Sequence, residues 1–119
     1  MPLPRPGCER CTGVPNGLRV LPLEVVAHLH QSTHRDILLQ RCPACGQYFV
    51  LEDDEVVCFD ADDYFLAACA PISPEEADAL RADWRLAAEL IRSRSGFVSL
   101  VNDPYIWLDH EPPAPPAAG

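Results

Sequence analysis

The chain has 119 residues, a formal net charge of −9 and 48% hydrophobic residues. That length sets one domain with a modest core, the apolar fraction excludes wholesale disorder, and no apolar run approaches the roughly 20 residues of a membrane-spanning helix. Every basic side chain is Arg, and so acidic a chain repels phosphate backbones, which makes nucleic acid a poor default partner.

Residues 1–7 read as an extended, proline-rich lead-in. They lack the apolar stretch of a secretory signal, so a cytoplasmic, reducing location is expected. Cys8 and Cys11 then stand two residues apart, and Cys42 and Cys45 repeat that spacing. A two-residue gap lets one turn present two thiolates to one ion, and two such turns fill a tetrahedral zinc site. In a reducing compartment the paired spacing favours metal over disulfides. Pro43 presets φ behind the third ligand, while Gly46 can take a positive φ that points backbone amides at the sulfurs, a role Gly13 could share after Cys11. The metal set is therefore Cys8, Cys11, Cys42 and Cys45, with Zn²⁺ as a structural ion; four sulfurs in a tetrahedron also accept iron.

Between the pairs, Val25, Val26, Ala27 and Leu29 suggest a short helix from Leu23 to about Thr33, with Pro22 in its first turn. His30 and His34, four apart, would share a face of it, but no acid stands between them in an HExxH pattern, so a solvated helix end is the favoured reading over a second metal site. His28 would serve as a ligand only if one cysteine pair were incomplete. Residues 36–41, 47–51 and 56–59 read as three strands of an antiparallel meander, with the second cysteine pair capping the first hairpin and Glu52–Glu55 as a solvated acidic turn. Asp60, Asp62 and Asp63 lack the spacing of a calcium loop and read as solvated. Residues 64–70 are compatible with a strand or a helical turn, and the strand is preferred. Cys58 and Cys69, among apolar neighbours, read as buried structural thiols rather than nucleophiles.

A long amphipathic helix is predicted from Ser73 to about Ser93, with Ser73 as N-cap, Pro74 in the first turn, Glu76 closing a capping box and Gly96 as the stop. Ala77, Leu80, Trp84, Ala87, Ala88 and Ile91 share one face, whereas Leu86 and Leu90 fall on the other and need cover from the C-terminal segment or from a second copy. Residues 97–101 read as a strand, 102–104 as a turn, and 105–108 as an apolar segment. From Glu111 onward the Pro and Ala residues give a disordered tail with polyproline II bias.

The two turns resemble the zinc-ribbon group, in which one knuckle is typically CPxCG, as in residues 42–46 here. The resemblance covers about half the chain and implies a structural zinc but no particular activity. It departs from the group in a long segment between the knuckles and in scarce basic residues. The whole reads as α+β: a small antiparallel sheet with a zinc-ribbon-type four-cysteine site, a short helix between the knuckles, and one long amphipathic helix. It forms a single domain over 1–111, with the ribbon at 8–59, the helix at 73–94, the C-terminal strand segment at 97–108, and a tail at 112–119.

Closed tetrahedral coordination leaves no position for a reacting water, and no nucleophile–base pair or phosphate loop is visible, so no enzyme is expected. Abundant Ala, Arg and Pro without Lys suit a GC-rich bacterial genome. The favoured function is a small bacterial zinc protein acting by protein contact, as adaptor, regulator or inhibitor, with a partner of basic character. The alternatives are a nucleic-acid-associated ribbon, using Arg5, Arg10, Arg19, Arg35 and Arg41, and an accessory domain of an enzyme.

Overall fold

A computed structural model describes residues 6–13, 17, 21–56, 64–100 and 103–109. Six strands form one antiparallel sheet: β1 (Glu24–Gln31), β2 (Arg35–Arg41), β3 (Tyr48–Val56), β4 (Tyr64–Ile72), β5 (Gly96–Ser99) and β6 (Ile106–Leu108). Each strand lies beside its neighbours in sequence, in the order β1-β2-β3-β4-β5-β6. Between β4 and β5 run α1 (Pro74–Ala82), a 3₁₀ turn (Trp84–Leu86) and α2 (Ala87–Arg92).

Both faces of the central strands are covered, which is why Ile37-Leu38-Leu39 and Phe49-Val50-Leu51 are continuous apolar runs rather than alternating ones. On one face Ile37, Leu39, Val50, Ala70 and Ile72 pack against Ala77, Leu80 and Ala87 of the helices. On the other, Phe49, Leu51, Ala67, Cys69, Phe97 and Trp107 lie beneath Cys11, Leu21 and Cys42. Phe97 and Trp107 meet edge to face there, with ring centroids 5.0 Å apart. The sheet thus has helices above it and the cysteine-bearing N-terminal segment below.

Three corrections to the expected fold follow. The α+β arrangement built on one long amphipathic helix is replaced by a six-stranded sheet with two short helices. The helix breaks at Asp83, an extended residue (φ −150°, ψ 97°) whose carboxylate accepts from the Arg85 backbone N–H and so caps the 3₁₀ turn. The break re-aims Leu86 and Leu90, which pack with Trp84 and Ile91 against the helix-side core instead of forming a second strip.

The short helix between the knuckles is strand β1. The adjacent β-branched Val25 and Val26 suit an edge strand, and register shifts at Val25/Ala27 and His28/His30 remove the strict alternation that would have marked it in sequence. The third correction concerns residues 52–55, which continue β3 instead of turning. Arg35 stands across from Glu52 and Asp54, with its Nε 2.9 Å from Asp54 and 3.4 Å from Glu52, and His34 Nδ1 lies 3.1 Å from Glu55 Oε1. The partner of β3 is therefore β4, nine residues paired from Tyr48↔Ile72 to Val56↔Tyr64. The strand expected at 56–59 lies outside the described residues beyond Val56, as do Cys58, Asp60, Asp62 and Asp63.

The predicted capping box is present: the Glu76 backbone N–H donates to Ser73 Oγ at 3.1 Å and the Ser73 N–H to Glu76 Oε1 at 2.9 Å. Arg94 returns from beyond α2 to donate two hydrogen bonds of 2.7 Å to the same carboxylate. Those guanidinium bonds hold the Glu76 pKa down at about 2, against an ordinary 4.5. A depressed carboxylate contributes stability that is complete above 4.5 and is lost as pH falls through 2. Glu76→Gln should therefore cost about 1–2 kcal/mol at neutral pH, and the gap from wild type should shrink below pH 4.5. Urea unfolding of both proteins at stepped pH reads this gap directly.

Candidate metal centre

The second knuckle is the connection between β2 and β3. Cys42 ends up buried at the foot of β2, its N–H donating to the Gln47 carbonyl at 2.9 Å, and the Gly46 N–H closes the turn on the Cys42 carbonyl at 2.8 Å. Gly46 has φ +81°, the conformation expected of it. Gln47 fastens the exit of the turn to the sheet, its Nε2 donating to the Tyr48 and Ile72 carbonyls at 3.0 and 2.8 Å.

The first knuckle is a single tight turn in which the Cys8 carbonyl accepts from the N–H groups of Cys11, Thr12 and Gly13 at 3.1 to 3.2 Å. Thr12 is buried, and its hydroxyl donates to the Pro6 carbonyl, tying the turn to the chain before it. Gly13 is not in the positive-φ set, so it does not play the part of Gly46; a Cβ on it would stand 2.6 Å from the Glu9 Cα. The positive φ of this knuckle belongs to Gly7, at +90°, where a Cβ would stand 2.6 Å from Cys11 Sγ. Sequence reasoning passed over Gly7 and Thr12. The only signal for Gly7 was a glycine directly before the first ligand.

The topology brings the two knuckles together. Cys8 Sγ lies 3.9 Å from Cys11 Sγ and 3.8 Å from Cys42 Sγ, and Cys11 Sγ lies 3.8 Å from Cys45 Sγ. All four sulfurs fall within 4.8 Å of one another. Four sulfurs at about 2.3 Å from one ion stand about 3.8 Å apart along the edges of a tetrahedron, so the donor set has the dimensions of a four-thiolate site. It is far too open for disulfides, whose sulfurs stand about 2 Å apart.

Backbone amides prepare the sulfurs for charge. The Cys8 N–H points at Cys11 Sγ at 3.2 Å, and the Arg10 amide holds the Cys8 thiol down at about 7, below its ordinary 9.0. The Gln47 amide acts on Cys45 in the same sense, although desolvation and the Cys8 and Cys42 thiols turn its net shift upward. Burial pushes Cys11 up to about 12. A buried thiol of this kind ionises only beside a cation, so metal binding and release of protons are coupled here.

The remaining candidates are not brought to this site. His30 stacks on Trp84 with ring centroids 3.9 Å apart, and His34 pairs with Glu55. His28 Nδ1 sits 3.2 Å from Gln31 Nε2. Among the described residues, the four cysteines form the one cluster of His, Cys, Asp or Glu with metal-binding spacing. Cys69 is fully buried beneath the sheet, its pKa pushed well up by that burial, as a structural thiol requires. Among the described residues, no helix is long and apolar enough to cross a membrane.

The two glycines separate strain from collision. Gly46→Ala meets nothing within 4 Å and should cost only the left-handed conformation, about 1 kcal/mol. Gly7→Ala adds a methyl against a ligand sulfur and should weaken metal retention about tenfold or more. Competition against a chromophoric chelator measures both.

No protein-family model, curated protein or solved structure matches this chain. The likeness to zinc ribbons therefore rests on the two knuckles and the geometry of their sulfurs.

Proposed function

We propose that this is a small zinc-binding protein whose metal is structural and which acts by contact with another protein. The observation that carries the zinc reading is the tetrahedral spacing of four sulfurs, two of them buried. Four thiolates close the coordination sphere, so the ion holds the chain rather than activating water, and no catalytic role is assigned to it.

Contact with a protein is favoured by the surface. Beyond the cover of the helices, Leu100, Ile106 and Leu108 remain exposed at the β5–β6 end of the sheet, in a chain of net charge −9. Two of the five arginines offered for nucleic acid are already paired with acids, Arg35 with Asp54 and Glu52, and Arg41 with Glu24 at 3.3 Å. Arg10 is exposed, and Arg5 and Arg19 lie outside the described residues. A cytoplasmic, bacterial setting remains part of this proposal.

Native mass spectrometry with elemental analysis tests the metal: one zinc per chain is expected, and iron or no metal overturns the reading. For the partner, capture at physiological salt should return a protein that the Ile106→Ser, Leu108→Ser double variant loses. Equal recovery by both would remove this surface from consideration.

A further inference from the structure

The widest groove among the described residues, about 830 Å³, opens beside the second knuckle. Cys45, Gly46 and Gln47 are on its walls with Pro6, Tyr48 and Trp107. Of the four metal-site cysteines, Cys45 alone lines it. The four also differ in burial: Cys11 and Cys42 are sealed in the core at 1% and 0% exposure, Cys8 is half-buried, and Cys45 is exposed. A small molecule in solution therefore meets the site first at one sulfur.

That sulfur also stands on the turn with room to move. Gly46 beside it takes φ +81° and has nothing within 4 Å of where a Cβ would stand, so the tip of this turn has open space around it. Cys11 is held by comparison. Its N–H donates to the Cys8 carbonyl at 3.2 Å, and a Cβ on Gly7 would stand 2.6 Å from its sulfur. The two sulfurs, Cys11 Sγ and Cys45 Sγ, lie 3.8 Å apart across the two knuckles. A metal site holds cysteine as the thiolate, which is the nucleophilic form, and oxidation of thiolates follows their exposure.

We propose that Cys45 is the point at which a hydroperoxide enters the site and that Cys11 resolves the product, so that oxidation exchanges the ion for a disulfide between the knuckles. This rests on the four-thiolate reading above and states how that site is opened. In the first step the Cys45 sulfur attacks the terminal oxygen of the peroxide. An S–O bond forms, the O–O bond breaks, and the leaving oxygen takes up a proton and departs as water or alcohol. In the second step the Cys11 thiolate attacks the Cys45 sulfenic acid. An S–S bond forms, the S–O bond breaks, and the hydroxide that leaves takes up a second proton to become water. Two electrons pass from the two sulfurs to the peroxide. Cys8 and Cys42 then remain as the only thiolates where four held the ion, and the exposed turn is pinned to the buried one.

The test uses the zinc-loaded full chain, its ion verified by elemental analysis, treated with hydrogen peroxide beside a chromophoric zinc chelator. One equivalent of peroxide should release the ion and leave a Cys11–Cys45 disulfide in the peptide map, and dithiothreitol with added zinc should restore the starting state. Dimedone, which adds to sulfenic acids, should mark Cys45 and not Cys8, Cys11 or Cys42. The Cys58→Ser chain should behave as wild type. A disulfide within either knuckle, or dimedone on another of the four cysteines, would overturn the assignment. Oxidation of Cys58 or Cys69 ahead of zinc release would do the same. Zinc retained against about a tenfold excess of peroxide would overturn this inference and leave the metal reading standing. Reduced protein that holds no zinc would overturn both.

Discussion

Cys45→Ser is expected to abolish cooperative folding at neutral pH, although Cys45 is an exposed side chain whose packing contributes little. The size of the effect comes from the metal. Structural zinc in small domains contributes about 10–16 kcal/mol, comparable with or larger than the whole net stability of about 5–15 kcal/mol typical of a domain. Losing one thiolate of four forfeits much of that term and leaves Cys8, Cys11 and Cys42 crowded without the ion that lets them ionise together. The N-terminal segment then loosens, and with it the cover over Phe49, Phe97 and Trp107. A strong chelator should produce the same loss from wild type, followed by circular dichroism and recovered on adding zinc. Cys69→Ser is the contrast, since it buries a hydroxyl at a site with no metal; it should cost about 1–3 kcal/mol and keep one ion per chain. Cooperative unfolding of Cys45→Ser at wild-type midpoint would show that the four sulfurs do not hold the fold.

The second large effect is expected at Phe49. Its ring is fully buried between the sheet and the knuckles, in one cluster with Cys11 and Cys42. Truncation to Ala removes that packing and leaves a cavity, at a cost of about 3–5 kcal/mol. Leu39, equally buried, lies on the helix side with Val50 and Leu80, and Leu39→Ala should cost about 2–5 kcal/mol. Stability alone barely distinguishes the two. Metal release does: Phe49→Ala should speed transfer of the ion to a chelator, because the floor beneath Cys11 and Cys42 has gone, whereas Leu39→Ala should leave that rate near wild type. Equal release rates would mean that the knuckles hold the ion without support from the sheet.

The cysteine cluster was legible because its signal is local. A two-residue spacing, a proline and a glycine specify a turn whatever lies around it, and the pairing of the two turns needed only the chemistry of four thiolates. The capping box at Ser73 and Glu76 was legible for the same reason. Strand β1 was not, because its two register shifts erase period 2, and the spacing of Val25, Val26 and Leu29 that remains imitates a helix. The break at Asp83 was hidden by the helical segment beyond it, which packs on the same sheet and so keeps the apolar period running. Residues 52–55 looked like a turn because like charges adjacent in sequence repel. Their place in β3 depends on Arg35 and His34, contributed by β2 and the turn before it. Each error lies where a partner distant in the chain, or a local irregularity, overrides a neighbourly pattern.

The strands lie across the sheet in the sequence order in which a ribosome delivers them. Both knuckles are complete once residue 45 has emerged, before any of β3, β4, the helices, β5 or β6 has done so. Capturing an ion at that point closes a 34-residue separation between Cys8 and Cys42, a modest entropic cost beside the affinity of four thiolates. The loaded knuckles then stand as a fixed border against which every later strand is laid in turn. With the proposed ion captured at that point, metal supply during synthesis, rather than after release, is expected to set how much of this protein reaches its native state.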